Sequence, residues 1–116
     1  MIIKLDFPDF TLSPNRKNGK HWTSTKKAKD NRYQCAYYAT KEALGAFKLP
    51  ANINILKITF IEPDKRKRDI DNCLSASKQD IDGICAALGI DDKIFDTVIL
   101  SRGYCKGLGQ MIVELS

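Results

Sequence analysis

The pattern of apolar and polar positions along the chain predicts four strands. Residues 2–7 alternate weakly and are rich in β-forming side chains, which predicts a strand that ends at Pro8. Residues 53–61 combine near-alternate apolar positions with β-branched side chains, which predicts a second strand. Residues 98–104 and 110–115 alternate as two further strands, and the glycine-containing stretch between them predicts a hairpin.

Two longer segments have helical spacing instead. Residues from about 23 to 47 place alanines three or four positions apart, which predicts an amphipathic helix with a Thr or Ser cap. A second helix is predicted to begin at Asp69 or Asp71 and to continue to about Leu88, where Gly89 ends it. The same apolar spacing runs through this whole segment, so one continuous helix is expected.

The predicted order of elements is β-α-β-α-β-β. We therefore expect an α+β fold, with a mixed β-sheet packed against two helices. The chain has 116 residues, of which 43% are hydrophobic, so one core and a single domain over residues 1–116 are expected.

Composition narrows the compartment and the class of site. No apolar run approaches the ~20 residues that cross a bilayer, and the first residues are charged too early for a signal peptide, so we expect a cytoplasmic protein without membrane contact. There is no C-x-x-C pair, which argues against a structural zinc site. Three of the four cysteines lie in apolar patterns, which predicts buried free thiols.

Positive charge is concentrated in two places along a chain whose net charge is +5. Four consecutive cations, residues 65–68, directly precede Asp69, and residues 15–29 contain six Lys or Arg and no acid. Such clusters attract a polyanion, although a solvated basic loop has the same composition. The candidate DNA contacts are Lys65, Arg66, Lys67, Arg68, Asn15 and Arg16, with His21 and Trp22 as further polar and stacking groups.

Acidic residues follow the second basic cluster in two pairs. Asp69 and Asp71 are spaced i, i+2, and Asp91 and Asp92 follow the second predicted helix. Clustered carboxylates are the ligands that Mg²⁺ prefers. Each pair alone is also typical of a helix cap or a solvated turn. A metal site therefore requires the two pairs to meet in space.

One stretch carries a family resemblance. Residues 63–72, with the core R-D-I-D-N, are followed by Lys78, Asp82 and Asp91-Asp92, and in this order they resemble the RusA family of Holliday-junction resolvases. The early Ser13-Pro14-Asn15-Arg16 segment and the late Lys106-Gly107 turn also match, so the resemblance touches nearly the whole chain.

This resemblance implies a fold, a reaction and a set of residues. RusA-type enzymes are homodimers that bind four-way DNA junctions and cut them symmetrically with Mg²⁺, for which Mn²⁺ is an alternative, and they use no nucleotide cofactor. Their essential acids match Asp69, Asp71 and Asp92, with Asp91 assisting, and these acids would hold the metal. Their essential lysine matches Lys78, at an offset longer than in some members. A bacterial, phage or prophage context is implied in the same way.

We therefore expect an endodeoxyribonuclease that resolves Holliday junctions in DNA recombination and repair. One alternative is a non-catalytic basic module that binds branched DNA or RNA, in which the acids are caps and turn residues. Another keeps the chemistry and acts on flaps, forks or duplex. A structural protein would explain the basic run by solvation but has no use for the adjacent D-x-D-N.

Overall fold

The structure, a computed structural model, describes residues 1–9, 12, 22–46, 48–49 and 51–116. Over these residues the fold is α+β. The strands are β1 (Ile2–Asp6), β2 (Ile55–Glu62), β3 (Thr97–Tyr104) and β4 (Gln110–Leu115). The helices are α1 (Trp22–Leu44), α2 (Ile70–Ala76) and α3 (Lys78–Leu88), and a short 3-10 helix spans Asp92–Ile94.

The four strands form one mixed sheet in the order β1-β4-β2-β3. Strand β4 is antiparallel to both β1 and β2, whereas β3 is parallel to β2. The connection from β2 to β3 contains α2, α3 and the 3-10 helix, as a parallel pair requires a long crossover. The predicted α+β class with a mixed sheet is thus confirmed.

The predicted hairpin between the last two strands is wrong. Strand β2 lies between them, so that Ile58 pairs with Leu100 of β3 on one side and with Val113 of β4 on the other. The link passes over the end of β2, where the amide of Cys105 donates to the Glu62 carbonyl at 3.0 Å. Alternation and a glycine turn describe a hairpin and this crossover equally well, because neither specifies the neighbouring strand.

The second predicted helix is two helices, separated at Ser77. The Ser77 hydroxyl is buried and donates to the Cys73 carbonyl at 2.7 Å, while its amide donates to the Leu74 carbonyl at 3.0 Å. A serine that bonds back to the preceding turn bends a helix. The break was missed because apolar spacing continues through it, with Ser77 itself on the buried side.

The core lies between the sheet and the helices. Its largest fully buried apolar side chains are those of Phe60, Ile3, Ile58, Ile84 and Met111. Helices α1 and α3 approach closely, since a Cβ at Gly83 would lie 2.4 Å from the Tyr33 carbonyl oxygen. No helix in the described part of the chain is long and apolar enough to cross a membrane.

All four cysteines are free thiols, as predicted. Only Cys73 and Cys85 are buried, whereas Cys35 and Cys105 are exposed. Three buried thiols were predicted and two are found. Cys35 lies on the outer surface of α1, and Cys105 lies on the outer surface of the link between β3 and β4.

A buried ion pair joins α1 to α3. The Arg32 Nε atom lies 2.9 Å from Asp80 Oδ1, and their side chains are 10% and 1% exposed. Arg32 also donates to the carbonyl oxygens of Asp6 and Phe7, at 2.9 and 3.3 Å. The pair therefore ties both helices to the end of β1. In the sequence, its only sign is one acid in an amphipathic pattern.

The Asp80 pair predicts a pH dependence of stability. Burial raises the pKa of Asp80 to about 6 from its ordinary 3.8, against the opposing charge of Arg32. Because the pKa is raised, the folded state favours the protonated Asp80 carboxyl. The stability that this preference contributes is fully present below about pH 4 and is lost as pH rises through about 6, where the buried group must ionise. Urea unfolding of the wild type should therefore lose free energy over this range relative to Asp80→Asn, on the order of 2–3 kcal/mol.

The matched control for this prediction is Asp30→Asn, which removes a carboxylate from an exposed i, i+4 pair with Lys26. It should leave the pH profile of the wild type unchanged. Parallel profiles for wild type and Asp80→Asn would show that Asp80 is not the titrating group.

Candidate functional site

The first acidic pair lies at the start of α2. Asp69 occupies the N-cap position with extended backbone, φ −62° and ψ 127°, but its side chain makes no capping hydrogen bond. Asp71 lies in the first turn, where its Oδ1 accepts from the Asn72 amide at 3.0 Å. Both residues are exposed. The alternative that Asp69 serves as a helix cap therefore has no hydrogen bond to support it.

The second acidic pair divides into two different roles. Asp91 precedes the 3-10 helix, and its Oδ1 accepts from the Lys93 amide at 2.9 Å, which is a cap. Asp92 lies in the first turn and is exposed. Of the two, Asp92 is therefore the one whose carboxylate is not occupied by capping.

A pocket of about 220 Å³ lies between α2, α3 and the 3-10 helix. Ser75, Lys78, Asp82 and Asp92 supply its polar wall. The Lys78 Nζ atom lies 3.9 Å from Asp82 Oδ2, and the lysine side chain is 68% exposed. The structure thus brings the candidate lysine together with Asp92, although they are separated by 14 positions in the chain. We call this the Lys78 pocket.

The first acidic pair adjoins this pocket through α2. Ser75 follows Asp71 by four positions, and residues at this spacing are neighbours on one helix face. Neither Asp69 nor Asp71 lines the pocket itself. Asp71 is therefore one helical turn from a residue of the pocket that Asp92 lines.

Two buried thiols lie within the electrostatic influence of these acids. Burial, together with smaller contributions from the negative charges of Asp92, Asp82 and Asp91, raises the pKa of Cys85 to about 11. Burial likewise raises the pKa of Cys73 to about 11, with a smaller contribution from Asp69 among its charged neighbours. The charges of the second acidic pair thus act on Cys85, while that of Asp69 acts on Cys73.

A complete metal-binding group is not assembled in the described residues. Within them, no three His, Cys, Asp or Glu side chains lie close enough together to hold a metal ion. Carboxylate oxygens suit Mg²⁺ by their chemistry. The assignment of Asp69, Asp71, Asp92 and Asp91 as metal ligands accordingly stays a prediction.

The basic run is not uniform. Lys65, Arg66 and Lys67 are exposed, whereas the Arg68 side chain is only 12% exposed. The Arg68 guanidinium donates to Asp64 Oδ1 at 3.2 Å and to Asp64 Oδ2 at 3.1 Å. This hydrogen bonding holds the pKa of Asp64 below its ordinary value. Arg68 is thus engaged within the protein, and the other three residues present their charge to solvent.

Arg68 is held by a buried carboxylate, that of Glu62. The predicted second strand ends at residue 61, but Glu62 is the last residue of β2 and is 3% exposed. Its Oε1 accepts from the Arg68 amide at 2.9 Å, and its Oε2 lies 3.4 Å from Arg102 Nε. Arg102 also donates to the Arg68 carbonyl. Both backbone groups of the residue before Asp69 are therefore hydrogen-bonded.

A signal for Glu62 was present in the sequence. The buried positions of β2 are Leu56, Ile58, Phe60 and Glu62, so the acid continues the inward-facing register. A carboxylate at an inward position of a strand requires a cationic partner. The basic run that follows supplies one.

The predicted contacts near the start of the chain cannot be placed in the same way. Asn15, Arg16 and His21 lie outside the described residues. Their assignment to a DNA interface stays a prediction.

Comparison with known proteins adds one relative. No protein-family model matches the chain. A protein of Xylella fastidiosa (strain Temecula1), described as uncharacterized, is 33% identical over 116 residues, which cover 98% of this chain and 74% of that protein. Identity of this extent over nearly the whole chain shows common ancestry, and the chain belongs to the same family as this Xylella protein.

Proposed function

We propose that the chain is a Mg²⁺-dependent endodeoxyribonuclease of the RusA type, which cuts four-way DNA junctions by paired nicks. The observation that carries this proposal is the Lys78 pocket. Lys78 and Asp92 both line this pocket, and Asp71 is one helical turn from Ser75 in its wall. Lys78, Asp92 and Asp71 are residues that the family resemblance implies for the reaction. The exposed cations of residues 65–67 lie just before α2, the helix that carries Asp71.

The residues that would hold the metal are Asp69, Asp71 and Asp92, while Asp91 supports them by capping the 3-10 helix. When bound, Mg²⁺ would lower the pKa of a water molecule and neutralise charge on the scissile phosphate. Proteins commonly hold Mg²⁺ by one or two carboxylates together with substrate phosphates. An incomplete set of protein ligands is therefore compatible with a metal that binds together with DNA.

The chain's own cations have separate tasks. The Lys78 ammonium group is loosely paired with Asp82 and largely exposed, so it can move to a phosphate and stabilise negative charge there. Lys65, Arg66 and Lys67 would neutralise backbone phosphates, which makes affinity fall with salt. Arg68 would act within the protein, by holding the loop that leads to Asp69.

Symmetry accounts for paired cutting. A four-way junction has near two-fold symmetry, and a homodimer with C₂ symmetry would place one site on each of two opposed strands. We therefore propose a homodimer as the active form.

A junction-cutting assay tests the proposal directly. A synthetic four-way junction, labelled on each strand in turn, is incubated with the protein and either Mg²⁺ or EDTA, beside a linear duplex of the same sequence. We expect symmetric nicks in two opposed strands with Mg²⁺, no nicks with EDTA, and much weaker cutting of the duplex. Tight binding without nicks at any Mg²⁺ or Mn²⁺ concentration would refute the nuclease.

A second candidate function is a non-catalytic module that binds branched DNA or RNA. It is favoured by one observation, the lack of a three-ligand metal group in the described residues. In that case Asp91 caps the 3-10 helix, Asp71 bonds its neighbouring amide, and neither acts on the nucleic acid.

A further inference from the structure

A second polar pocket lies at the carboxyl ends of β2 and β3 and shares no lining residue with the Lys78 pocket. It measures about 440 Å³, which is within the usual range for small-molecule sites, and Lys65, Lys67, Arg102 and Tyr104 contribute to its wall. We infer that this pocket binds one nucleotide of an unpaired DNA strand, with the base stacked on Tyr104 and the phosphate held by the two lysines. The inference rests on the proposed function and names how a branch point is recognised.

The charges of the pocket favour a phosphate. Its two acids, Glu62 and Asp64, are both engaged, since Arg68 bridges them and Arg102 pairs with Glu62. Lys65 and Lys67 are exposed, and among the described residues neither has an acidic group within 4.0 Å. The two lysines therefore add positive charge that the acids of the pocket do not neutralise.

Tyr104 offers a face for a base. It is the last residue of β3, an edge strand of the sheet, and is 49% exposed. An aromatic side chain beside cations that follow the backbone is the usual arrangement for binding single-stranded nucleic acid, and it tolerates any base because every base has a stacking face. In intact duplex both faces of a base are covered, so this pocket distinguishes strands opened at a branch.

Arg102 connects this pocket to the candidate catalytic acids. It contributes to the pocket wall, pairs with Glu62 and donates to the carbonyl of Arg68, the residue that precedes Asp69. A strand that enters the pocket therefore lies beside the segment that positions Asp69. Arg102 therefore contributes both to the proposed nucleotide pocket and to the position of Asp69.

The test measures binding of a fluorescein-labelled oligothymidylate in EDTA, so that no metal or cleavage is involved. Tyr104→Ala should weaken binding about tenfold, because stacking contributes on the order of 1–3 kcal/mol per base. Tyr104→Phe should stay within about twofold of the wild type, because it keeps the ring. The matched control is Tyr38→Ala, which removes a tyrosine of α1 that is 68% exposed and does not line this pocket. This variant should bind the oligonucleotide like the wild type.

The phosphate part is tested by the double variant Lys65→Ala/Lys67→Ala. The slope of log affinity against log salt should become shallower by about 0.7, because the two lysines hold one phosphate and each single-strand phosphate contact contributes ~0.7. Equal affinities for Tyr104→Ala and Tyr38→Ala, or no binding of the oligonucleotide by the wild type, would overturn the inference. If oligonucleotide binding depends on Tyr104 but no junction is cut, the nuclease fails and the pocket stands. If the junction is cut but Tyr104 is neutral, the pocket fails and the nuclease stands.

Discussion

Asp71→Asn is expected to reduce junction cleavage by at least about 100-fold while leaving junction affinity near that of the wild type. The amide keeps the size of the side chain and an oxygen that can accept from the Asn72 amide, but it loses the negative charge that a divalent cation requires. Affinity for DNA depends on the cations of residues 65–67, which the change does not touch. Single-turnover cleavage and anisotropy binding on one labelled junction measure both quantities.

The matched control is Asp96→Asn, which removes the same charge from an exposed aspartate just before β3, outside the Lys78 pocket. It should cut like the wild type. Loss of binding together with cleavage in Asp71→Asn would make Asp71 a structural residue. Unchanged cleavage would remove it from the site.

Glu62→Ala is expected to lower the free energy of unfolding by about 3 kcal/mol. The buried carboxylate accepts from the Arg68 amide and pairs with Arg68 and Arg102, so its loss leaves two partly buried guanidinium groups without this partner. Breaking a buried pair by removing one partner is more destabilising than the pair itself is stabilising. Urea unfolding followed by circular dichroism measures the change.

Two variants separate the stability effect from the effect on the site. Glu114→Ala removes a strand glutamate whose ion pair with Lys57 spans 3.8 Å and is exposed to solvent, and it should cost less than about 1 kcal/mol. Glu62→Gln keeps an oxygen that accepts from the Arg68 amide, so it should fold well. It loses the negative charge that pairs with Arg68 and Arg102, so Asp69 is held less firmly and cleavage should be slower than in the wild type. A fully active Glu62→Gln would show that the network serves stability alone.

The candidate site was predictable only in part from sequence. Asp69 and Asp71 are neighbours in the chain, so their proximity needed no tertiary information. Whether Asp91 or Asp92 is the available carboxylate depended on one hydrogen bond, from the Lys93 amide to Asp91. That bond depends on the backbone of a three-residue 3-10 helix, which periodicity does not specify.

Buried charges were the least predictable residues. Glu62 lies at the end of a strand and Asp80 on an amphipathic helix, yet both are almost fully buried and paired with arginines. Arg32 is separated from Asp80 by 48 positions, so their contact exists only because α1 packs on α3. Composition could not separate Arg68 from its three basic neighbours for the same reason, since its partner is the end of a strand.

The local pattern of the sequence by itself determined the α+β class, the approximate extent of each strand, the site of the acidic pairs and the exposed basic run. These features depend on side-chain periodicity and on residues close together in the chain. Only the tertiary structure decided that β2 separates β3 from β4, that the helix breaks at Ser77, and that Lys78 and Asp92 share a pocket. The break depends on the hydrogen bond from the buried Ser77 hydroxyl to the Cys73 carbonyl, which apolar spacing does not show. The strand order and the shared pocket depend on which distant surfaces bury each other, and a linear pattern that is apolar on one side is satisfied by more than one partner.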